Sequence, residues 1–226
     1  MWQNFFSILA VIAFSVFAIR RFRVARAKRQ AAPLEFFGGA TGLLADAHIE
    51  ADLTAGSHLL TGRYRGLPVQ VQTVTDTLAV RKLPSLWLMV TIPEPLPLKA
   101  TFDLMMRPTG PTTFSNFDHL PVTIGRPPDF PEHAVVRTDD PDHLLPAHVV
   151  AAHLEALFAP RGKELLISPK GIRMVIQMAE ADRARYGVFR QADFGEMALD
   201  PALLKDILDR LIALRGDIEN WRSTST

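Results

Sequence analysis

The sequence predicts an α+β fold: one N-terminal transmembrane helix, then a mostly antiparallel sheet packed with two helices. Three observations carry this. Met1 to Ile19 (MWQNFFSILAVIAFSVFAI) contains no charged side chain and runs straight into RRFRVARAKR. Residues 58–106 hold four apolar or alternating segments separated by Gly and Pro. Two amphipathic helical stretches then flank a second hairpin, and runs of strands followed by helices point to a sheet with helices set against it.

The first stretch reads as an anchor with a direction. About 20 apolar residues span a hydrocarbon core of roughly 30 Å, and Phe22 and Val24 extend the run. Trp2 stands where an interfacial aromatic belongs, and Arg20, Arg21, Arg23, Arg26, Lys28 and Arg29 flank one side only. Cytoplasmic flanks carry the Lys/Arg excess. The expected placement is therefore the inner membrane of a bacterium, with the N-terminus out and the soluble domain cytoplasmic. A cleaved signal peptide would need basic residues before the apolar run and small residues after it; the order here is the reverse. No cysteine is present for lipid acylation.

Subtracting the flank changes the charge balance. The chain has 25 basic and 24 acidic residues. Six basic residues and no acids lie in 1–30, so the remainder holds 19 against 24, a net charge of −5. An acidic domain argues against nucleic acid as a partner. The lack of cysteine also removes disulfides, thiolate nucleophiles and Cys-based metal centres.

The expected organisation is anchor and flank over 1–29, linker over 30–56, soluble domain over 57–222 and tail over 223–226. The linker rests on the Ala, Pro and Gly of QAAPLEFFGGATG. Its glycines lack the Lys of a phosphate loop and follow no strand.

Within the domain, His58–Arg65 and Pro68–Thr75 form a hairpin across Gly66, with period-2 alternation from Val69. Leu86–Ile92 is apolar on both faces and so belongs in mid-sheet. Leu98–Met106 is the fourth strand, ended by Pro108. Residues 107–146 contain eight prolines; only Leu120–Ile124 and Ala134–Thr138 read as extended, and a subdivision of the domain near this stretch stays open. Long irregular segments in compact domains are usually functional or packed across other elements. Ala147–Phe158 is a helix. Leu165–Ile167 and Ile172–Met178 form a hairpin around Ser168-Pro-Lys-Gly171, whose Pro and Gly suit a tight turn. Tyr186–Arg190 reads as a short strand. Asp200-Pro201 supplies a cap and first-turn proline for a last helix running to about Arg215.

Thr61-Gly-Arg-Tyr-Arg-Gly-Leu-Pro-Val-Gln-Val resembles the G-x-Y-x-G-x-x-V hairpin of a loose group of uncharacterised bacterial single-pass membrane-anchored proteins. Ala134-Val-Val-Arg-Thr-Asp-Asp-Pro through Leu144-Leu145 is similar to the second half of that group. Phe130-Pro-Glu-His-Ala-Val-Val matches its F-D-x-x-F-x-V segment in part, with Pro131 in the place of the Asp. The resemblance covers about half the chain and implies a membrane-tethered domain; it assigns no catalytic, cofactor-binding or metal residue.

Candidate chemistry is confined to 118–148. His119, His133, Asp139, Asp140, His143 and His148 are the residues from which a metal centre or an acid–base pair would have to gather. Their spacing fits no ligand pattern, and the competing reading is solvated loop with Asx turns. Ser57, Ser85, Ser115 and Ser168 lie in no nucleophile elbow. The last helix carries Leu203, Leu204, Ile207, Leu208, Leu211 and Ile212, a stripe broader than one sheet face needs; these are the candidates for docking a partner, though packing from two sides explains the width equally well.

The first functional expectation is thus a membrane-tethered, non-enzymatic scaffold or accessory subunit that binds a protein partner, with no cofactor. The alternatives are a metal-dependent hydrolase built on 118–148 and a sensor domain holding a small apolar ligand.

Overall fold

A computed structural model describes residues 35–52, 57–76, 83–159, 161–189 and 192–224. The expected anchor, with Trp2 and the basic residues of 20–29, lies outside the described residues. Among those residues, no helix is long and apolar enough to cross a membrane.

Among the described residues, nine strands form one sheet. They are β1 (Ala45–Asp52), β2 (Ser57–Tyr64), β3 (Leu67–Asp76), β4 (Ser85–Ile92), β5 (Phe102–Met106), β6 (Val122–Ile124), β7 (Ala134–Thr138), β8 (Gly162–Ser168) and β9 (Gly171–Glu180). Their order is β1-β2-β3-β4-β9-β8-β5-β7-β6. Every pairing is antiparallel. The described helices are α1 (35–41), α2 (Ala147–Phe158), α3 (Arg183–Phe189) and α4 (Pro201–Thr224).

The antiparallel α+β architecture agrees with the sequence. Three local assignments do not, and the expected strand Leu98–Met106 begins only at Phe102. Residues 35–52 are not a connector: α1 and β1 occupy them, and Phe36, Phe37, Ala40 and Leu44 are buried in the main core. The packing is done by these apolar side chains and not by the glycines, since Gly38 and Gly42 have open space around them. Leu199 N–H donates to Phe36 O at 2.8 Å, tying α1 to the segment before α4.

Tyr186–Arg190 does not begin a strand. Asp182 caps α3, its Oδ1 accepting from Arg185 N–H at 2.7 Å, and this local bond decides for helix. α4 does not end at Arg215 but continues through Gly216 to Thr224, two residues into the expected tail. A helical Gly costs about 1 kcal/mol; burial of Ile218 and packing of Trp221 on the core offset it. Arg215 reinforces the continuation, bonding Glu94 O and Pro95 O at 2.7 and 2.8 Å and Glu219 at 2.7 Å.

The sheet runs unbroken across the proline-rich stretch, because β5 pairs with β8 on one side and β7 on the other. β9 and β8 insert between β4 and β5, which the chain order does not reveal. Their turn requires Gly171: its φ is +140°, and a Cβ there would lie 2.3 Å from Ile92 O.

One face of the sheet is covered by helices. α4 packs on α2, β4 and β9, and α2 packs on β8. Leu60, Val71, Val90 and Met174 stand in register across β2, β3, β4 and β9, all buried on this face. The other face is covered over its β9-β8-β5-β7 part by the irregular segment, where Trp87, Met105, Phe114, Phe117 and Val175 form a second, smaller core.

Candidate functional site

The histidines and aspartates singled out by sequence do not converge. Among the described residues, no three His, Cys, Asp or Glu side chains are placed to share a metal ion. Asp139 binds Thr101, accepting from its N–H at 2.7 Å and its hydroxyl at 2.8 Å. Asp140 accepts from Asp142 N–H at 3.0 Å, a local turn, and meets His143 Nδ1 at 2.7 Å. The hydrogen bond from His143 holds the Asp140 carboxyl below its ordinary range. His119, His133 and His148 are exposed. The hydrolase reading needed these groups around one point, and it loses that support.

The docking stripe of α4 is also placed differently. Leu204, Leu208 and Leu211 are fully buried and Ile207 nearly so, all in the main core. Leu203 and Ile212 are half-buried and pack against it. The stripe is broad because α4 packs on both the sheet and α2, and those four side chains present no surface.

What the structure does gather lies on the second face. Asp103 on β5 stands opposite Arg137 on β7 and Leu166 on β8, and Leu166 stands opposite Arg173 on β9. Glu164 is opposite Met105, two residues along β5, so Asp103 and Glu164 are diagonal neighbours on one face. Glu164 is 0% exposed and Asp103 2%. Segment 112–120 closes over them. Phe114 packs on Trp87 with ring centroids 4.9 Å apart, and Ser115 Oγ donates to Glu164 Oε1. Phe117 lies under the Arg137 guanidinium at 5.1 Å. Arg173 Nη2 donates to Glu164 Oε2 at 3.1 Å.

Burial governs the electrostatics. Desolvation, then the neighbouring Glu164 charge, pushes Asp103 up to about 8, against the pull of Arg173. Desolvation also raises Glu164, while Arg173 and the Ser115 hydroxyl favour its charged form. Burial thus favours a proton on Asp103 at neutral pH, while Arg173 favours the charged form of Glu164 beside it. Asp103 Oδ1, Trp87 Nε1, Arg137 Nε and Arg173 Nε have no hydrogen-bond partner among the described residues. All four atoms belong to this face, making it a polar assembly that is only partly satisfied.

Sequence reasoning passed over this pair. A signal was present: Asp103 and Glu164 are lone acids in the apolar strands FDLMM and GKELLIS. Alternation alone places both on the side away from the helices, where solvent is the default expectation.

A separate cleft of about 970 Å³ lies between α1, the adjoining ends of β2–β4 and residues 192–198. Glu35, His58, Thr73 and Glu196 line it along with Phe36 and Met197, and it opens to solvent. The sensor reading needed a closed apolar cavity between sheet and helices, which this cleft is not.

Neither a protein-family model nor a curated protein matches the sequence. Among solved structures, the fold is similar to the crystal structure of the mycobacterial trehalose monomycolate transport factor A, with a TM-score of 0.37 and 8% identity over 80% of this chain and 78% of that one.

Proposed function

We infer that this protein is a membrane-tethered, non-enzymatic scaffold or accessory subunit that binds a protein partner at the cytoplasmic face of a bacterial inner membrane. One observation carries the reading. The most strongly perturbed carboxylates among the described residues are sealed under the protein's own chain and tied to Arg173 and Ser115. A perturbed acid in an open cleft would mark a reactive site; a sealed, ion-paired one organises structure.

Two further features support a binding role. The apolar run and one-sided basic flank tether the domain to a leaflet. On β2 and β3 the second face carries Leu59, Thr61, Gln70 and Gln72, exposed or half-buried. Interfaces of non-obligate complexes have that mixed, weakly charged character at their cores.

The test is crosslinking and affinity recovery of the full chain from membranes. Copurification of a stoichiometric membrane complex is expected; recovery of the chain alone overturns the reading. Alkaline phosphatase fused after Thr226 is expected to be inactive. Activity there places the domain on the outer side and refutes the orientation.

A further inference from the structure

The segment covering the acid pair is attached in an unusual way. Between Arg107 and Leu120 it contributes no strand, and its backbone hydrogen bonds there are local turns, His119 to Asn116 O and Leu120 to Phe117 O. Its ends are fixed. Arg107 N–H donates to His133 O, Lys163 Nζ reaches Met106 O and Arg107 O at 2.6 and 3.0 Å, and β6 pairs with β7 beyond Leu120. Arg107 and Gly110 have φ of +45° and +99°, a left-handed corner beside Pro108 and Pro111 where the segment leaves β5.

The middle is held through side chains: Phe114 on Trp87, Ser115 on Glu164 and Phe117 under Arg137. Arg137 adds Nη1 bonds to Phe117 O and Asp118 O at 3.4 and 3.1 Å.

We propose that residues 108–120 form a lid that is closed at neutral pH and lifts under alkaline conditions, when the buried Asp103–Glu164 pair carries two negative charges. This goes beyond the scaffold reading and does not depend on it.

Every charged group around the pair enters the balance. Asp103 comes from β5, Glu164 and Lys163 from β8, Arg173 from β9, Arg137 from β7, and Asp118 and His119 from the lid. Lys163 is committed to the carbonyls at the lid's root, Arg173 Nη2 to Glu164 and Arg137 Nη1 to the lid backbone. Asp103 Oδ1 is left without a bond. A second charge on a carboxylate this buried needs water, and the lid is the covering element with no backbone bonds to the sheet along its middle. Trp87, 8% exposed, is uncovered with it.

The experiment is hydrogen exchange on the full chain in detergent micelles from pH 6 to 9, with protection factors corrected for the intrinsic pH dependence. Between pH 6 and 8, amides of 112–120 are expected to lose protection by up to about tenfold per pH unit, levelling off above the titration, while β4, β8 and β9 hold theirs. Asp103→Asn keeps the acid's shape without its charge and is expected to keep the lid protected at pH 9. Glu164→Gln is the second variant if that one folds poorly. Trp87 fluorescence, assigned by difference from Trp87→Phe, is expected to shift to longer wavelength over the same interval. Flat protection of 112–120 across the range, loss of protection by lid and strands together, or an Asn variant that opens like the parent would each overturn the proposal.

Discussion

Leu88, Val90 and Ile92 of β4 turn to one side of the sheet and Trp87 and Met89 to the other, and the two groups meet different kinds of partner. On the first side, helices α2 and α4 supply apolar side chains against apolar strands, and away from the helix ends the backbone hydrogen bonds of the cover run within the helices. On the second, the cover is an irregular, proline-rich segment that brings two aromatic rings and a hydroxyl down onto Trp87, Arg137 and Glu164. The first face is stabilised by area removed from water, about 1.5–3 kcal/mol per buried Leu or Ile side chain. The second depends on compensation: its charges are tolerable only while each has its partner. A face of the first kind tolerates pH change; one of the second kind does not.

The largest effect that would sharpen this contrast is expected at Arg173. Arg173→Ala leaves Glu164 buried and unpaired, and breaking such a pair costs about 3–5 kcal/mol. Urea unfolding at pH 7 should show that loss, and it should shrink as pH falls, because burial raises the Glu164 carboxyl and a protonated acid needs no cationic partner. A loss below about 1 kcal/mol would mean the second face is not held by its ion pair.

On the helix face, Leu211→Ala should cost about 2–5 kcal/mol by lost transfer and cavity formation, with no pH dependence between 5 and 8. A cost that changed with pH would blur the distinction between the faces.

Asp103→Asn should act in the opposite sense. The folded state holds the Asp103 proton up to about pH 8, whereas the unfolded chain releases it near 3.8. That contribution to stability is full below about pH 4 and is lost as pH rises toward 8. The Asn variant cannot ionise, so its stability relative to the parent should rise between pH 5 and 8, by at least the roughly 1.4 kcal/mol that one pKa unit represents. Parallel pH profiles for parent and variant would show that Asp103 is already ionised in the fold.

The smallest effect is expected at the surface. Lys205 and Asp209 form an i,i+4 pair at 2.7 Å on the exposed side of α4. Lys205→Ala should change stability by no more than about 0.5 kcal/mol, less in high salt. Asp209 keeps Tyr64 Oη at 2.8 Å and Arg65 at 2.9 Å.

Much of the first face was legible in the sequence. The period-2 run from Val69, the continuous apolar segment 86–92 and the Ser168-Pro-Lys-Gly171 turn report burial and chain reversal through local chemistry, and the structure places β3, β4 and the β8–β9 hairpin there. Ala147–Phe158 agrees to the residue. Residues 35–52 misled because their glycines read as linker, while the burial of Phe36, Phe37, Ala40 and Leu44 depends on elements distant in sequence. The candidate site was not legible, because a lone Asp or Glu in a strand has the same local signature whether solvent or another segment lies above it.

The sequence by itself determined the strands and helices whose periodicity shows which side is apolar, the charge asymmetry between the N-terminal stretch and the remainder, and the absence of thiol chemistry. Tertiary structure alone decided the strand order, with β9 and β8 set between β4 and β5, and the burial of Asp103 and Glu164. Both depend on pairings distant in sequence: Glu164 acquires its environment from Ser115, 49 residues away, and that separation leaves no trace in the pattern around either residue.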